Sequence, residues 1–207
     1  MKKSVTLVSW LISLAALSAV QIANAQGDAA AGAGKVALCA TCHGSGGNSQ
    51  ISMNPSLAGQ NANYIVKQLQ DYQSGERQNP TMSAMVGSLS GQDIEDIAAY
   101  YASQERRIVG AQDDQETLAL GEALYRAGNS EIGSAACTAC HAPTGKGNAP
   151  AGFPAIGGQH SEYTLTQLRA FRASERANDL NGMMRTVVER LTDAELEALA
   201  NYVAGLH

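Results

Sequence analysis

Cys39-Ala40-Thr41-Cys42-His43 and Cys137-Thr138-Ala139-Cys140-His141 each set two thiols three positions apart and follow the second at once with an imidazole. On helical backbone this spacing places the thiols one turn apart. That is the separation required for two thioether bonds to the vinyl groups of a haem, and the adjacent histidine reaches the iron from the same side. A lone C-x-x-C also suits a zinc knuckle or a redox dithiol. The immediate histidine, the repetition of the motif and an export signal favour covalent haem attachment instead. Two covalently bound haem c groups are therefore expected, held by Cys39 and Cys42, and by Cys137 and Cys140, with His43 and His141 as iron ligands.

The sixth iron position has to be found from the internal repeat. Leu57-Ala58-Gly59-Gln60-Asn61-Ala62-Asn63-Tyr64 recurs as Ile156-Gly157-Gly158-Gln159-His160-Ser161-Glu162-Tyr163 at an offset of 99, and Leu89-Ser90 matches Leu191-Thr192 at 102. Eight residues before the matched Ser90 and Thr192 stand Met82 and Met184, whose thioethers are soft ligands that raise a haem potential. Anchoring on the upstream match pairs Met85 with Met184 instead, and Met183 adjoins the second candidate. Met82 and Met184 are preferred because the helix that follows fixes where the ligand lies. Met53 reads as core filling.

Several neighbours have supporting roles open to them. The carbonyls of Pro55 and Pro154, shortly after each histidine, are candidate acceptors for its outer nitrogen. Tyr64, Tyr163, Arg77 and Arg176 recur in register and suit haem propionates, or equally ordinary packing and surface charge. His160 and His207 have no matched histidine and read as surface residues.

The elements that must position these groups are helices. Asp28 to Leu38 and Glu116 to Ala127 read as Ala-rich helices leading to each motif. Ala62 to Ser74 and Glu162 to Ser174 carry apolar residues at helical spacing. The last helix of each half opens with a capping box, Ser90-x-x-Asp93 and Thr192-x-x-Glu195. Behind it, Ile94, Ile97, Ala98 and Tyr101 match Leu196, Leu199, Ala200 and Val203 as inward positions. Nothing suggests a sheet, so the fold class is all-α. The methionines lie in loops between helices.

Residues 1–25 have the form of a secretory signal peptide, with Lys2-Lys3, an apolar run from Val5 to Val20 and Ala23-Asn24-Ala25 before the cut. Domains are expected at 26–106 and 113–207, joined by a linker at 107–112. Removing Lys2 and Lys3 from the chain's 14 basic residues leaves 12 against 19 acidic, a net charge of −7. A chain of this sign without basic clusters is a poor candidate for nucleic acid.

Taken together, the duplicated C-x-x-C-H, the segments Asn54-Pro55-Ser56-Leu57-Ala58-Gly59-Gln60 and Phe153-Pro154-Ala155-Ile156-Gly157-Gly158-Gln159-His160, the Met-containing stretch and the capped last helix resemble the dihaem cytochrome c4 family. The resemblance implies two tandem class I cytochrome c domains related by a pseudo-twofold axis, with propionate edges facing each other. The axial pairs become His43 with Met82 and His141 with Met184. Ala142 departs from the pattern, standing where the first half has Gly44, and the approach from Gly128 to Ala136 has no counterpart. The implied function is a monomeric periplasmic electron carrier, loosely membrane-associated in some relatives. It would take electrons from a membrane quinol-oxidising cytochrome complex and deliver them to a terminal oxidase. Two rivals are the dihaem subunit of a larger dehydrogenase, such as flavocytochrome c sulfide dehydrogenase, and a dihaem peroxidase. The peroxidase needs an open iron position, which a methionine in both halves would close.

Overall fold

A computed structural model describes residues 27–207; the expected signal peptide at 1–25 lies outside the described residues. The fold is all-α, with ten α-helices, two 3-10 turns and no strand among these residues beyond two isolated bridges. The first half contains α1 (Ala29–Ala33), α2 (Ala37–His43), α3 (Ala62–Ser74), α4 (Pro80–Val86) and α5 (Gly91–Ala102). The second contains α6 (Gln115–Ala127), α7 (Thr138–His141), α8 (Ser161–Arg172), α9 (Met183–Val188) and α10 (Asp193–Gly205). No described helix is long and apolar enough to cross a membrane.

Each half is organised on its last helix. Both capping boxes form, Ser90 with Asp93 and Thr192 with Glu195, so α5 and α10 start where the sequence places them. Ile94, Ile97, Ala98 and Tyr101 are buried on α5, and Leu196, Leu199, Ala200 and Val203 on α10. Each large apolar side chain among them contributes roughly 1.5–3 kcal/mol by leaving water. Against these faces pack α1 and α3 in the first half, and α6 and α8 in the second. Gly32 of α1 and Gly121 of α6 sit at the crossings. A Cβ on Gly32 would run into the Asp96 carbonyl and lie 2.8 Å from Tyr100 Cβ; on Gly121 it would run into the Ala198 carbonyl and lie 2.7 Å from Tyr202 Cβ. The two crossings are thus the same contact made twice.

The continuous helix expected over Asp28 to Leu38 is broken. Gly34 and Lys35 bond back to the carbonyls of Ala31 and Gly32, which tightens the last turn of α1. Lys35 then pairs with Asp93 and Asp96 of α5, 2.6 Å from each. The chain restarts as α2, so the first C-x-x-C-H is itself helical. In the second half α6 is unbroken, capped by Asp114 and stopped at Gly128. The extra segment from Gly128 to Ala136 then brings the chain back to α7.

After each motif the backbone turns through an unusual conformation. Gly44 has φ 79° and ψ 159°, and Ala142 has φ 64° and ψ 161°. This region is nearly exclusive to glycine and costs another residue on the order of 1–3 kcal/mol. The Tyr125 hydroxyl, donating to the Ala142 carbonyl at 2.5 Å, helps to hold the strained turn. Ala142→Gly is therefore expected to stabilise the second half by about 1 kcal/mol once the extra freedom of an unfolded glycine is subtracted. The denaturant midpoint of that half would rise; an unchanged or lower midpoint would mean the turn is not strained.

The connection between the halves is strapped down. Arg106 donates through Nε to the Ala58 carbonyl (3.0 Å) and through Nη1 to the Gly157 carbonyl (2.8 Å), so it bridges both. Beyond it, Gly110 N–H bonds to Ala204 and Gln112 N–H to Asn201 Oδ1.

Candidate functional site

α2 and α7 present the thiols on helical backbone, Cys39 with Cys42 and Cys137 with Cys140, and all four are free of disulfides. Cys39 packs against the core of the first half and Cys137 against that of the second. Burial pushes the Cys39 thiol up and the Cys137 thiol up to about 11. A redox dithiol depends on a depressed thiol, so this environment is the wrong one for that chemistry.

His43 and His141 are buried directly after the thiols. Nδ1 of His43 lies 2.9 Å from the Pro55 carbonyl, and Nδ1 of His141 lies 3.0 Å from that of Pro154. A carbonyl can only accept, so Nδ1 carries the proton and Nε2 keeps its lone pair for a metal. Burial lowers the pKa of both imidazoles, outweighing the opposing bond to the prolyl carbonyl. Both are accordingly neutral, as metal ligation requires.

The methionine-bearing stretches, expected as loops, are short helices. Asn79 caps α4 by accepting from Met82 N–H at 3.0 Å, and Pro80 occupies the first helical position. Val86 and Val188 anchor α4 and α9 in the two cores. Met82 and Met184 each precede that valine by four residues and so share its face. Both are half-buried, and Met184, unlike Met183, packs against the core of its half. Met85 is 42% exposed.

The seam between the halves is lined by polar side chains from both. Arg77 donates through Nη1 to Gln68 (2.9 Å) and through Nη2 to Tyr163 (3.0 Å) and Gln167 (2.8 Å). Arg176 mirrors it, bonding Gln167 (2.8 Å), Tyr64 (3.0 Å) and Gln68 (3.0 Å). Each guanidinium also lies over a ring of its own half, Arg77 over Tyr72 and Arg176 over Phe171. Burial pushes the Tyr64 hydroxyl up, but Arg176 and Arg77 outweigh it and leave its pKa lowered. Among the described residues neither buried guanidinium forms an ion pair with a carboxylate. Two such cations are suited to anions that side chains do not provide.

Two expectations are corrected here. His160 is buried, not a surface residue: its Nε2 lies 3.1 Å from the Ser49 carbonyl across the seam. Its counterpart Asn61 likewise donates across, to the Phe153 carbonyl at 2.8 Å. A polar seam has the composition of solvent-exposed surface, so nothing local in the sequence distinguishes this histidine from a surface one. Met53 is 64% exposed and fills no core; it lies in the turn closed by the bond from Asn54 N–H to the Ile51 carbonyl. His207 is exposed, as expected.

The residues present fit haem c in each half. They offer two unbonded thiols one turn apart, a neutral imidazole with Nε2 to spare and a half-buried methionine, with the buried arginines as partners for propionates.

A family model described as "Cytochrome c" matches residues 118–207, and one described as "Cytochrome C oxidase, cbb3-type, subunit III" matches residues 27–100. Cytochrome c4 of Stutzerimonas stutzeri is 46% identical over 97% of this chain and 98% of that protein. A protein from S. stutzeri strain A1501 named thiosulfate dehydrogenase electron acceptor is 35% identical over 81% of this chain and 78% of its own length. The crystal structure of reduced recombinant cytochrome c4 from Pseudomonas stutzeri superposes with a TM-score of 0.84 at 46% identity, covering 87% of this chain and all of that one.

Proposed function

This chain belongs to the cytochrome c4 family of dihaem electron carriers, and from that premise we propose that it carries electrons in the periplasm from a membrane quinol-oxidising cytochrome complex to a terminal oxidase. One haem c is assigned to each domain, 26–106 and 113–207, joined by 107–112. His43 with Met82 would hold the first iron, and His141 with Met184 the second. The bound haems supply a one-electron ferric/ferrous couple. The observation that carries the reading is the duplicated bond from histidine Nδ1 to a prolyl carbonyl, which leaves each Nε2 for iron. With a methionine as well as a histidine holding each iron, no position would remain for a substrate, so the chain's residues would form two closed centres rather than a reactive one.

The chain's own groups serve that role in identifiable ways. The buried imidazoles and the apolar helix faces exclude water, which keeps reorganisation small as charge moves. Arg77 and Arg176, held by hydrogen bonds to tyrosine and glutamine, place fixed positive charge at the seam. The net negative charge favours docking on basic surfaces.

The test is kinetic. Oxidised protein is expected to be reduced by the purified quinol-oxidising complex with quinol, and reduced protein to be oxidised by membranes containing the terminal oxidase. Failure across the candidate oxidases would remove the acceptor assignment. The relative named for thiosulfate dehydrogenase favours a second donor. Rapid reduction by that enzyme with thiosulfate, and none by the quinol complex, would reassign the electron source.

A further inference from the structure

The hydrogen bonds at the seam are wired across it. The peptide unit joining Pro55 to Ser56 gives its carbonyl to Nδ1 of His43 (2.9 Å) and its N–H to Oε1 of Gln159 in the opposite half (2.9 Å). The unit joining Pro154 to Ala155 gives its carbonyl to Nδ1 of His141 (3.0 Å) and its N–H to Oε1 of Gln60, again opposite (2.8 Å). Each glutamine closes the contact with its amide: Gln159 Nε2 donates to the Ser56 carbonyl at 2.9 Å, and Gln60 Nε2 to the Ala155 carbonyl at 2.8 Å. Both glutamines are buried.

A peptide is a conjugated unit. When its N–H donates, electron density shifts onto its carbonyl oxygen, and the carbonyl becomes a stronger acceptor. A stronger acceptor draws the Nδ1 proton of the histidine outward and makes Nε2 more basic. A more basic ligand stabilises ferric over ferrous iron and lowers the potential. Because the seam excludes water, the effect is little screened.

We infer that Gln60 and Gln159 are positioning residues that tune the haems in a crossed manner, Gln159 acting on the first haem through His43 and Gln60 on the second through His141. This rests on the two histidines being iron ligands. It makes the contact between the halves part of each iron's electronic environment: neither haem keeps its potential if the other half is displaced.

The experiment uses holoprotein carrying Gln159→Leu or Gln60→Leu. Two quantities are read: the potential of each haem, from a redox titration followed by NMR of the assigned haem methyls, and the Nδ1 proton of each histidine in the reduced state. Gln159→Leu should raise the potential of the first haem and shift the His43 Nδ1 proton upfield, leaving the second haem and His141 in place. Gln60→Leu should give the mirror result. Gln159→Glu has the same length and keeps the acceptor facing Ser56 N–H, so it should hold the first haem's potential at or below that of the parent protein. Shifts confined to the haem of the mutated half, equal shifts in both, no shift, or a rise in Gln159→Glu would overturn the inference. If the parent protein lacked histidine–methionine spectra, the ligand assignment would fail instead, so the two outcomes are separable.

Discussion

Replacing Met82 with leucine is expected to abolish the thioether-to-iron absorption band of the first haem, whereas replacing Met85 with leucine leaves it intact. Four residues separate Met82 from Val86, as they separate Met184 from Val188, so each methionine lies on the face of its short helix that enters the core. Met85 is on the solvent side at 42% exposure and has no claim of that kind. With Met82 as the proposed ligand, losing the thioether would remove a group that favours ferrous iron, and haem ligands move potentials over roughly 0.8 V. The drop in the first haem's potential should be a substantial part of that range. Met184→Leu should do the same to the second haem, while Met183→Leu should not. Loss of the band in Met85→Leu and its survival in Met82→Leu would reverse the assignment.

Adding one methyl group at a helix crossing should strongly disrupt folding. Gly121→Ala places its Cβ against the Ala198 carbonyl and 2.7 Å from Tyr202 Cβ, and neither is the far end of a flexible side chain. Overpacking of this kind costs roughly 1–3 kcal/mol or more where the neighbours cannot give, and backbone cannot give without moving α6 off α10. About 3 kcal/mol in a half of this size lowers Tm by more than about 10 °C. Gly32→Ala should inflict the same loss on α1 and α5. Thermal melts followed at each haem should show the mutated half failing first. A Tm within about 2 °C of the parent would mean the crossing has room after all.

Much of this architecture could be read directly. The capping boxes, the inward positions of α5 and α10, the span of α3 and the two prolyl carbonyls all follow from local rules that a repeat states twice. Other features rest on weaker local signals. Asn79 followed by Pro80 is a helix start, yet the methionine stretch resembles a loop because it is short and carries little periodicity. The break after α1 is masked in the sequence by an Ala-rich segment that suits helix throughout; Lys35, at the break, finds its partners on α5, far away in sequence. The seam was illegible for a deeper reason. Gln60, Gln159, Arg77, Arg176 and His160 are residue types common on wet surfaces, and only their pairing across long sequence distances buries them.

That pairing bears on how the halves stay together. Because Gln60 and Gln159 make equivalent contacts, and Arg77 and Arg176 do likewise, the seam is of the kind a homodimer would use, each face answering the other. Two separate molecules would hold such a contact only when concentrated. Here the segment from Arg106 to Gln112 keeps the partner at an effective concentration on the order of millimolar. The distance between the two irons is therefore a property of the chain itself, the same at any dilution.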